Sequence, residues 1–600
     1  MCGFIGKVSS KNFDFHDIEK NNAKIICRGP DNTTIFTSSQ TKINFSNKKY
    51  FSFIFNRLSI VDLSYSANQP MHSDKYNTSI LFNGEIFNHS ELRQQMFLDG
   101  IKFNTKNSDT ETLLMGLSVY GLKFIEKING QFSIVFIDYK NEKISLIRDR
   151  LGQKPLFYTY TDEYLEFSSN LESLQKIEKT APVDEEQIFN YLQKGVISSP
   201  KTIFKNIYKV EPAQVLVFDL EHKVKIFNQY KYWEISSFVN SQEFNSHEFL
   251  EIFTDSVKLR SKADVQIGTF LSGGIDSTAI IKKLVELGKE IKSFSVKFTN
   301  NNYDESKWFK KVVKKYNISN EIAEVGSSIS NKYIEKIINN LDEPYADPSL
   351  VPTYKISELI AKKYKVAISG DGGDELLGGY KHLNDLLNRK KLNEKLVCGL
   401  FKIYPSNFGS GTEILSRSKN TRIAYSTYFN DYKLMEALNL KSKIDKKTYF
   451  NFVNKNLKKS IQLADYNFYL SEMMLLKIDR ASMANSLEVR SPFLDHRLVE
   501  YVLGHEENNE EQTTQKMLLK QYLSNDFDDN FLHRKKMGFS FDVENWVDNN
   551  LDYIQDTISN GKFIKNYNVN ILKKLTKRNT PMNGQRIWKI FVLEKYLSKF

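Results

Sequence analysis

Leu271-Ser272-Gly273-Gly274-Ile275-Asp276-Ser277 decides how the larger half of the chain folds. The run leading into it, Val265–Leu271, is short and rich in β-branched and apolar residues, as a buried strand is. The stretch that follows, to about Gly288, carries apolar residues at helical spacing. The junction is therefore strand, Gly-Gly turn, helix. Two glycines let the backbone approach a phosphate closely, and the N–H groups of the turn and helix start can cradle it. A Walker A loop would place Gly-Lys-Ser/Thr after its spacer, and that is absent. Asp276 is of the type that holds Mg2+, and Ser277 of the type that caps a helix.

Outward from this point the same alternation continues. Ile291–Phe298 reads as a strand before a helix at Trp308–Tyr316, and Val366–Ser369 reads as a strand after a helix ending near Tyr364. Alternating strands and helices predict βαβ units and a parallel sheet. A second glycine-rich loop, Ser369-Gly370-Asp371-Gly372-Gly373-Asp374-Glu375, follows a strand in the same way. It is expected beside the first, at the carboxyl ends of the strands, where such sheets bind ligands. Its acidic residues would repel one another without Mg2+ or a cationic partner. The last 150 residues or so read as mostly helical. The first 230 or so read differently. Phe51–Phe55, Ser79–Phe82, Phe132–Asp138 and Val215–Phe218 are short β-type runs, and Asp109–Tyr120 has helical spacing, an α+β pattern. A polar stretch without period around Trp233–Asn245 separates the two patterns, giving domains over 1–232 and 240–600.

With 600 residues, 40% of them apolar and 26% charged, the chain has ample material for buried cores and is neither collagen-like nor mainly disordered. At about 150 residues per domain, two to four domains are expected. The net charge of +12 is spread along the chain. The densest basic cluster, Arg534-Lys535-Lys536, is too short for a nucleic-acid stripe, so no nucleic-acid partner is expected. Three cysteines, Cys2, Cys27 and Cys398, argue for a reducing compartment rather than a disulfide scaffold. No apolar stretch approaches the ~18 residues of a membrane span, and the start lacks a signal-peptide core, which makes the cytoplasm the default location.

Cys2 is the most informative single residue. Removal of Met1 would put a thiol and a free α-amino group on one residue, with solution pKa values of about 8.5 and 7.7–8.0. The amine can then act as the base that activates the thiol, without a separate histidine. Behind Cys2 come Arg28-Gly29-Pro30-Asp31, Arg57-Leu58-Ser59-Ile60-Val61-Asp62, Asn83-Gly84-Glu85-Ile86-Phe87-Asn88, Ser108-Asp109-Thr110-Glu111 and Asp149-Arg150-Leu151-Gly152-Gln153-Lys154-Pro155-Leu156-Phe157-Tyr158. In this order they resemble the class II glutamine amidotransferases, whose domain has an N-terminal-nucleophile fold of αββα layering. The residue types suit a glutaminase. Arg57 can grip the glutamine α-carboxylate in a bidentate fork. Glu85 and Asp109 can take the α-ammonium. The Asn83 side chain and the Gly84 N–H can stabilise the oxyanion as Cys2 attacks the amide. The resemblance implies a glutamine site of Arg57, Leu58, Ser59, Ile60, Val61, Asn83, Gly84, Glu85 and Asp109. Asp149–Tyr158 reads as a shaped structural loop. Cys27 stands where the family usually has His, a tuning difference only, since the base is the amine of Cys2.

The Ser-Gly-Gly-x-Asp-Ser loop resembles that of the ATP pyrophosphatases, which cleave ATP to AMP. Further along stand Asp342-Glu343-Pro344-Tyr345-Ala346-Asp347-Pro348-Ser349, Lys477-Ile478-Asp479-Arg480-Ala481-Ser482-Met483-Ala484 and Ser486-Leu487-Glu488-Val489-Arg490-Ser491-Pro492-Phe493-Leu494-Asp495, with Lys516 and Ile587-Trp588 near the end. Together they resemble the synthetase domain of glutamine-hydrolysing asparagine synthetases, an α/β parallel-sheet domain with a helical C-terminal part. That resemblance implies ATP contacts at Leu271, Ser272, Gly273, Gly274, Asp276, Ser277, Val296, Ser369 and Gly370. It implies Mg2+ ligands at Asp276 and Asp374, and catalytic roles for Cys2, Asn83, Gly84, Asp371 and Lys516. Lys516, a compact point charge, would neutralise the phosphates as the acceptor carboxylate attacks. Glu488 and Arg490 read as a structural pair.

The implied cycle begins with glutamine hydrolysis through a γ-glutamyl thioester. AMP then passes from ATP to a carboxylate, and ammonia attacks the acyl adenylate. Ammonia released into water would be lost as ammonium, so a dry passage between the sites is expected. L-Aspartate is the favoured acceptor. A related branch of the architecture amidates sugar uronic acids, and three departures bear on the choice: Asp371 where Glu is usual, Gly373 where Ser is usual, and Lys520 where Arg is usual. A homologue that only senses glutamine would be expected to lose Cys2 or an acidic residue of the ATP loops, and all are present. Dimers are common in the family, so a homodimer is a further expectation.

Overall fold

A computed structural model of the chain describes all residues except 1, 42, 175–180, 239–243, 301–303, 327–328, 407, 441–455, 506–515, 535–537 and 564–582. Met1, part of the 233–245 stretch and Lys535-Lys536 of the basic cluster thus lie outside the described residues.

The N-terminal part contains two six-stranded antiparallel sheets. The first runs in the order Tyr208–Lys209, Phe157–Tyr160, Tyr164–Ser168, Gly3–Ser9, Tyr50–Arg57, Asn32–Thr37. The second runs Lys225–Lys231, Gln214–Asp219, Lys143–Arg148, Gly130–Asp138, Thr78–Ile86, Met71–Ser73. Their facing sides share one core. Phe4, Val8, Phe51, Phe53 and Phe55 from the first sheet meet Leu81, Val135, Ile137, Leu146 and Leu216 from the second. The outer face of the second sheet is covered by helix His89–Leu98 through Leu92 and Met96 and by helix Asp109–Tyr120 through Leu113, Leu114 and Leu117. Ile5 and Ile54 of the first sheet pack outward on Ile18 of the Phe15–Asn21 helix. The order of layers is helix, sheet, sheet, helix. Near-continuous apolar runs such as Ile134–Ile137 follow from strands covered on both faces.

The C-terminal part holds a five-stranded sheet, parallel throughout. Its order is Ser319–Val325, Lys292–Phe298, Ile267–Phe270, Val366–Ile368, Glu488–Arg490. The strand expected over Val265–Leu271 is formed by Ile267–Phe270, and the helix after it runs Ile275–Glu286. Gly288, at φ +65°, turns the chain just beyond that helix. The helix expected to end near Tyr364 runs Leu350–Ala361. Glu488–Arg490 was not legible. Three residues are too few to show a period, and they interrupt a region of helical spacing.

The two parts are welded together. One core joins Tyr191, Leu192 and Val196 of the N-terminal part to Tyr345, Trp546, Trp588 and Phe591 of the C-terminal part. Buried ion pairs cross the same boundary. The Arg28 guanidinium forks onto Asp479 at 2.9 and 3.0 Å, Lys154 stands 3.6 Å from the same carboxylate, and Lys209 pairs with Glu343 at 2.6 Å.

Candidate active sites

Cys2 lies just ahead of the Gly3–Ser9 strand, in the middle of the first sheet, and is buried. Its backbone N–H donates to Asn83 Oδ1 at 3.1 Å. Burial pushes the thiol above its ordinary range, against the pull of a Leu58 backbone N–H and the Arg57 charge. Asn83 and Gly84 do not form a turn. They sit inside the Thr78–Ile86 strand, opposite Ser133 and Phe132. Gly84 has φ +154°, and a Cβ there would stand 2.0 Å from the Gln131 carbonyl oxygen, so this close approach requires glycine.

Asp109 is the first residue of its helix, behind the Ser108 cap that accepts from the Glu111 N–H at 3.3 Å. Its carboxylate accepts from the Ile86 N–H at 3.2 Å, and burial raises its pKa to about 6. Glu85 is raised well above the usual range by burial, with Asp109 and Glu488 adding and Arg490 opposing. A cleft of about 30 Å³ is lined by Cys2, Arg57, Leu58, Ile60, Val61, Gly84, Glu85 and Asp109. Most of the residues named for glutamine are therefore brought together. Asn83 is not among the lining residues but touches Cys2 through its Oδ1. Ser59 is not among the residues lining the cleft; its N–H donates to Asp31 Oδ2 at 2.7 Å.

Arg57 is engaged by a neighbouring loop. Its Nη1 donates to Ser64 O and Asn68 Oδ1, both at 2.8 Å, and its Nη2 to Val61 O at 3.3 Å and to Asp62 O. Both terminal nitrogens of the fork are engaged by the 61–68 loop, so the expected grip on a carboxylate is not available in this arrangement. A guanidinium donates to backbone carbonyls as well as to carboxylates, and the sequence does not say which it meets.

The residue that sequence reasoning missed is Glu488, which reaches the same cleft from the C-terminal sheet. Arg490, two positions on and on the same face of that strand, joins Glu488 (Nε–Oε1 2.6 Å) to Glu85 (Nη2–Oε2 3.2 Å). The only local signal was the Glu-x-Arg alternation, which reads equally well as an ordinary pair.

The second site lies at the carboxyl ends of the parallel strands. Leu271 follows the Ile267–Phe270 strand, its N–H donating to Phe294 O at 2.7 Å, while Ser295 Oγ donates to Leu271 O at 2.6 Å. Val296 belongs to that neighbouring strand. Gly273 has φ +78°, and a Cβ there would stand 2.4 Å from Phe309 N. The expectation that Ser277 caps the helix is corrected. The helix starts at Ile275 with Gly274 as its cap and no side-chain acceptor; Ser277 lies inside the first turn, its Oγ donating to Gly274 O at 3.2 Å. The first helical N–H groups thus have no capping side chain over them, as anion binding requires.

The second glycine-rich loop lies against this turn. A Cβ on Gly373 would come within 2.8 Å of Asp276 Cγ, and one on Gly370 within 3.2 Å of Asp276 Cβ. Glycine at 373, where the resemblance leads one to expect serine, therefore lets Asp276 sit close. Lys516 bridges the two loops, contacting Asp276 and standing 2.5 Å from Asp374 Oδ1. Burial alone would lower the Lys516 pKa, but the two carboxylates raise it, so it stays charged. Asp371 accepts from Ser369 Oγ at 2.7 Å. Burial raises its carboxyl, Asp374 adds, and Lys477 opposes.

Among the described residues no three His, Cys, Asp or Glu side chains form a ready metal cage. Asp276 and Asp374 nevertheless converge on one point. One or two carboxylates completed by substrate phosphates is the donor set Mg2+ takes. Between the two parts of the chain lies a cavity of about 270 Å³, lined by Cys27, Arg28, Asp479 and Arg480 as well as Leu475 and Met483. Neither Cys2 nor the Leu271–Ser277 loop lines it, so it does not outline the expected dry passage. Among the described residues no helix is long and apolar enough to cross a membrane.

Residues 248–598 match the asparagine synthase family model and residues 1–233 the glutamine amidotransferase domain model. Three proteins of Bacillus subtilis strain 168, named asparagine synthetase (glutamine-hydrolyzing) 1, 2 and 3, are similar to this chain. The first is 28% identical and covers 99% of this chain and 96% of its own length. The second is 27% identical and covers 90% and 72%. The third is 27% identical and covers 90% and 87%.

Proposed function

The chain belongs to the asparagine synthase family and carries a glutamine amidotransferase domain; from that premise we propose that it hydrolyses glutamine at Cys2 and passes the ammonia to an AMP-activated carboxylate, with L-aspartate as acceptor. The products are L-asparagine, AMP, pyrophosphate and glutamate. Residues 1–232 form the glutaminase domain, of N-terminal-nucleophile type, and 240–600 the synthetase domain. The observation that carries the reading is the buried cleft in which Cys2 faces Glu85 and Asp109.

The chemistry follows from that cleft. Burial keeps the thiol neutral, so it needs a base, and the α-amine exposed by loss of Met1 stands on the same residue. The amine takes the thiol proton, and the sulfur adds to the glutamine amide carbon. The oxyanion is met by the Asn83 amide and the Gly84 N–H. The amine hands that proton to the departing nitrogen as the adduct collapses, which expels ammonia and leaves a γ-glutamyl thioester; water then cleaves the thioester to glutamate and free thiol. Glu85 and Asp109, raised by burial, return to the ionised form when the glutamine α-ammonium enters between them. Arg57, tied to the 61–68 loop, would have to exchange those carbonyls for the glutamine α-carboxylate to take the role the resemblance gives it.

In the second site the uncapped helix start at Gly274 and the Leu271–Ser277 turn bind the ATP phosphates. Mg2+ bound with ATP would be held by Asp276 and Asp374 and would offset phosphate charge. Lys516 stands where it can stabilise the charge that develops as the acceptor carboxylate displaces pyrophosphate from the α-phosphorus. Ammonia then attacks the acyl carbon, AMP leaves, and the departing proton passes to solvent. Asp371, one methylene shorter than glutamate and beside Lys477, supports a second reading with a sugar uronic acid as acceptor. Glutamine labelled with 15N at the amide separates the two. With Mg-ATP and L-aspartate, label in asparagine is expected. Label found only in a uronamide, from a uronate given in its place, would move the acceptor to the second reading.

A further inference from the structure

Building on the glutaminase reading of the Cys2 cleft, we infer that Arg490 and Glu488 are positioning residues for the glutamine site, so that the synthetase domain completes the glutaminase site across the domain boundary. Arg490 is fully buried. Its Nε meets Glu488 Oε1 at 2.6 Å, its Nη2 meets Glu85 Oε2 at 3.2 Å, and its Nη1 donates to Lys262 O at 2.5 Å. A single guanidinium therefore clamps one carboxylate from each domain, and both of those carboxylates line the cleft that holds Cys2. The backbone carbonyl of Arg490 accepts from the Ser369 N–H at 2.9 Å, and Ser491 Oγ donates to Asp371 O at 2.5 Å. The strand that shapes the glutamine cleft is thus also the one on which the Ser369–Glu375 loop rests.

The electrostatic consequence is specific. Among the described residues Glu85 faces Arg490, Asp109 and Glu488. A seat for the glutamine α-ammonium has to be ionised, and burial works against that. Arg490 opposes burial, so its loss leaves Glu85 protonated to higher pH. Glu488 works with burial, so its neutralisation lets Glu85 ionise at lower pH. The two residues therefore pull the same titration in opposite directions. A purely structural pair would not.

The test uses the full chain and measures glutamate release against glutamine concentration from pH 5.5 to 9. In Arg490→Gln, KM for glutamine is expected to rise at least tenfold at pH 7 with kcat within about threefold, and the acid limb of kcat/KM should move to higher pH. In Arg490→Lys, which keeps the charge and loses the fork, part of the affinity should return. In Glu488→Gln, an isosteric change, the acid limb should move to lower pH. Unchanged KM in the Arg490 variants would overturn the inference. So would acid limbs that stay put in both Arg490→Gln and Glu488→Gln, whatever the loss of turnover. A wild type that releases no glutamate would strike the amidotransferase reading itself, whereas an active wild type with unshifted variants would strike this inference alone.

Discussion

The glutamine cleft and the ATP site solve opposite electrostatic problems with the same residue types. In the cleft, Glu85 and Asp109 are buried near each other and both are raised, with Arg490 as the opposing cation behind them. The positive charge that would relieve them belongs to the ligand. At the second site, Asp276 and Asp374 share Lys516, so the compensating charge is built into the protein and stands where anionic phosphates would come. The first site waits for a cation-bearing amino acid. The second is set for a polyanion with its own metal ion. The difference also shows in the backbone. The first is held inside antiparallel strands, with Gly84 locked against Gln131. The second is made of turns at strand ends, where N–H groups remain for a ligand.

Four experiments sharpen or break that contrast. The largest effect is expected from Cys2→Ala. Glutamine-dependent amide formation should fall at least about 10⁴-fold, since a covalent nucleophile is lost, while synthesis fed with ammonium salts stays within about threefold. A parallel loss of both would mean that the sites are not separable. Next, Lys516→Ala should cut acceptor-dependent pyrophosphate release by about 10²- to 10³-fold, the scale of one lost transition-state charge partner, with glutamate release retained. Third comes pH. Asp109, raised to about 6, must be ionised to hold the glutamine ammonium. The kcat/KM for glutamine should therefore fall as pH drops, by about tenfold per unit below 6 from Asp109 alone, and a profile flat from pH 7 to 5 would contradict the assignment. The smallest effect is expected from Gly373→Ala. Its Cβ would come within 2.8 Å of Asp276 Cγ, and KM for ATP should rise about three- to fivefold with kinetics toward glutamine unchanged.

Much of this was legible in the sequence. Asp109–Tyr120 forms the helix its spacing predicts, and the alternation after residue 260 is a parallel sheet, because strands and helices long enough to show a period announce themselves. Three features were not legible, each for a local reason. Glu488–Arg490 is a strand of three residues whose partners in the cleft lie in another domain. The engagement of the Arg57 fork by the 61–68 loop is the second, because donor geometry alone does not name the acceptor. Ser277 was read as a cap because serine favours that position, yet the helix begins one turn earlier, at a glycine, which leaves its first N–H groups uncovered.

Acceptor-dependent pyrophosphate release tests the central claim most directly. The purified chain, with Mg-ATP and glutamine, is given L-aspartate and then a panel of nucleotide-linked uronic acids, and pyrophosphate is followed in each. The account predicts that pyrophosphate and asparagine rise together, one for one, with aspartate. Silence with aspartate and a signal with a uronate would overturn the acceptor. Silence with every carboxylate would contradict the proposal that this chain makes amides.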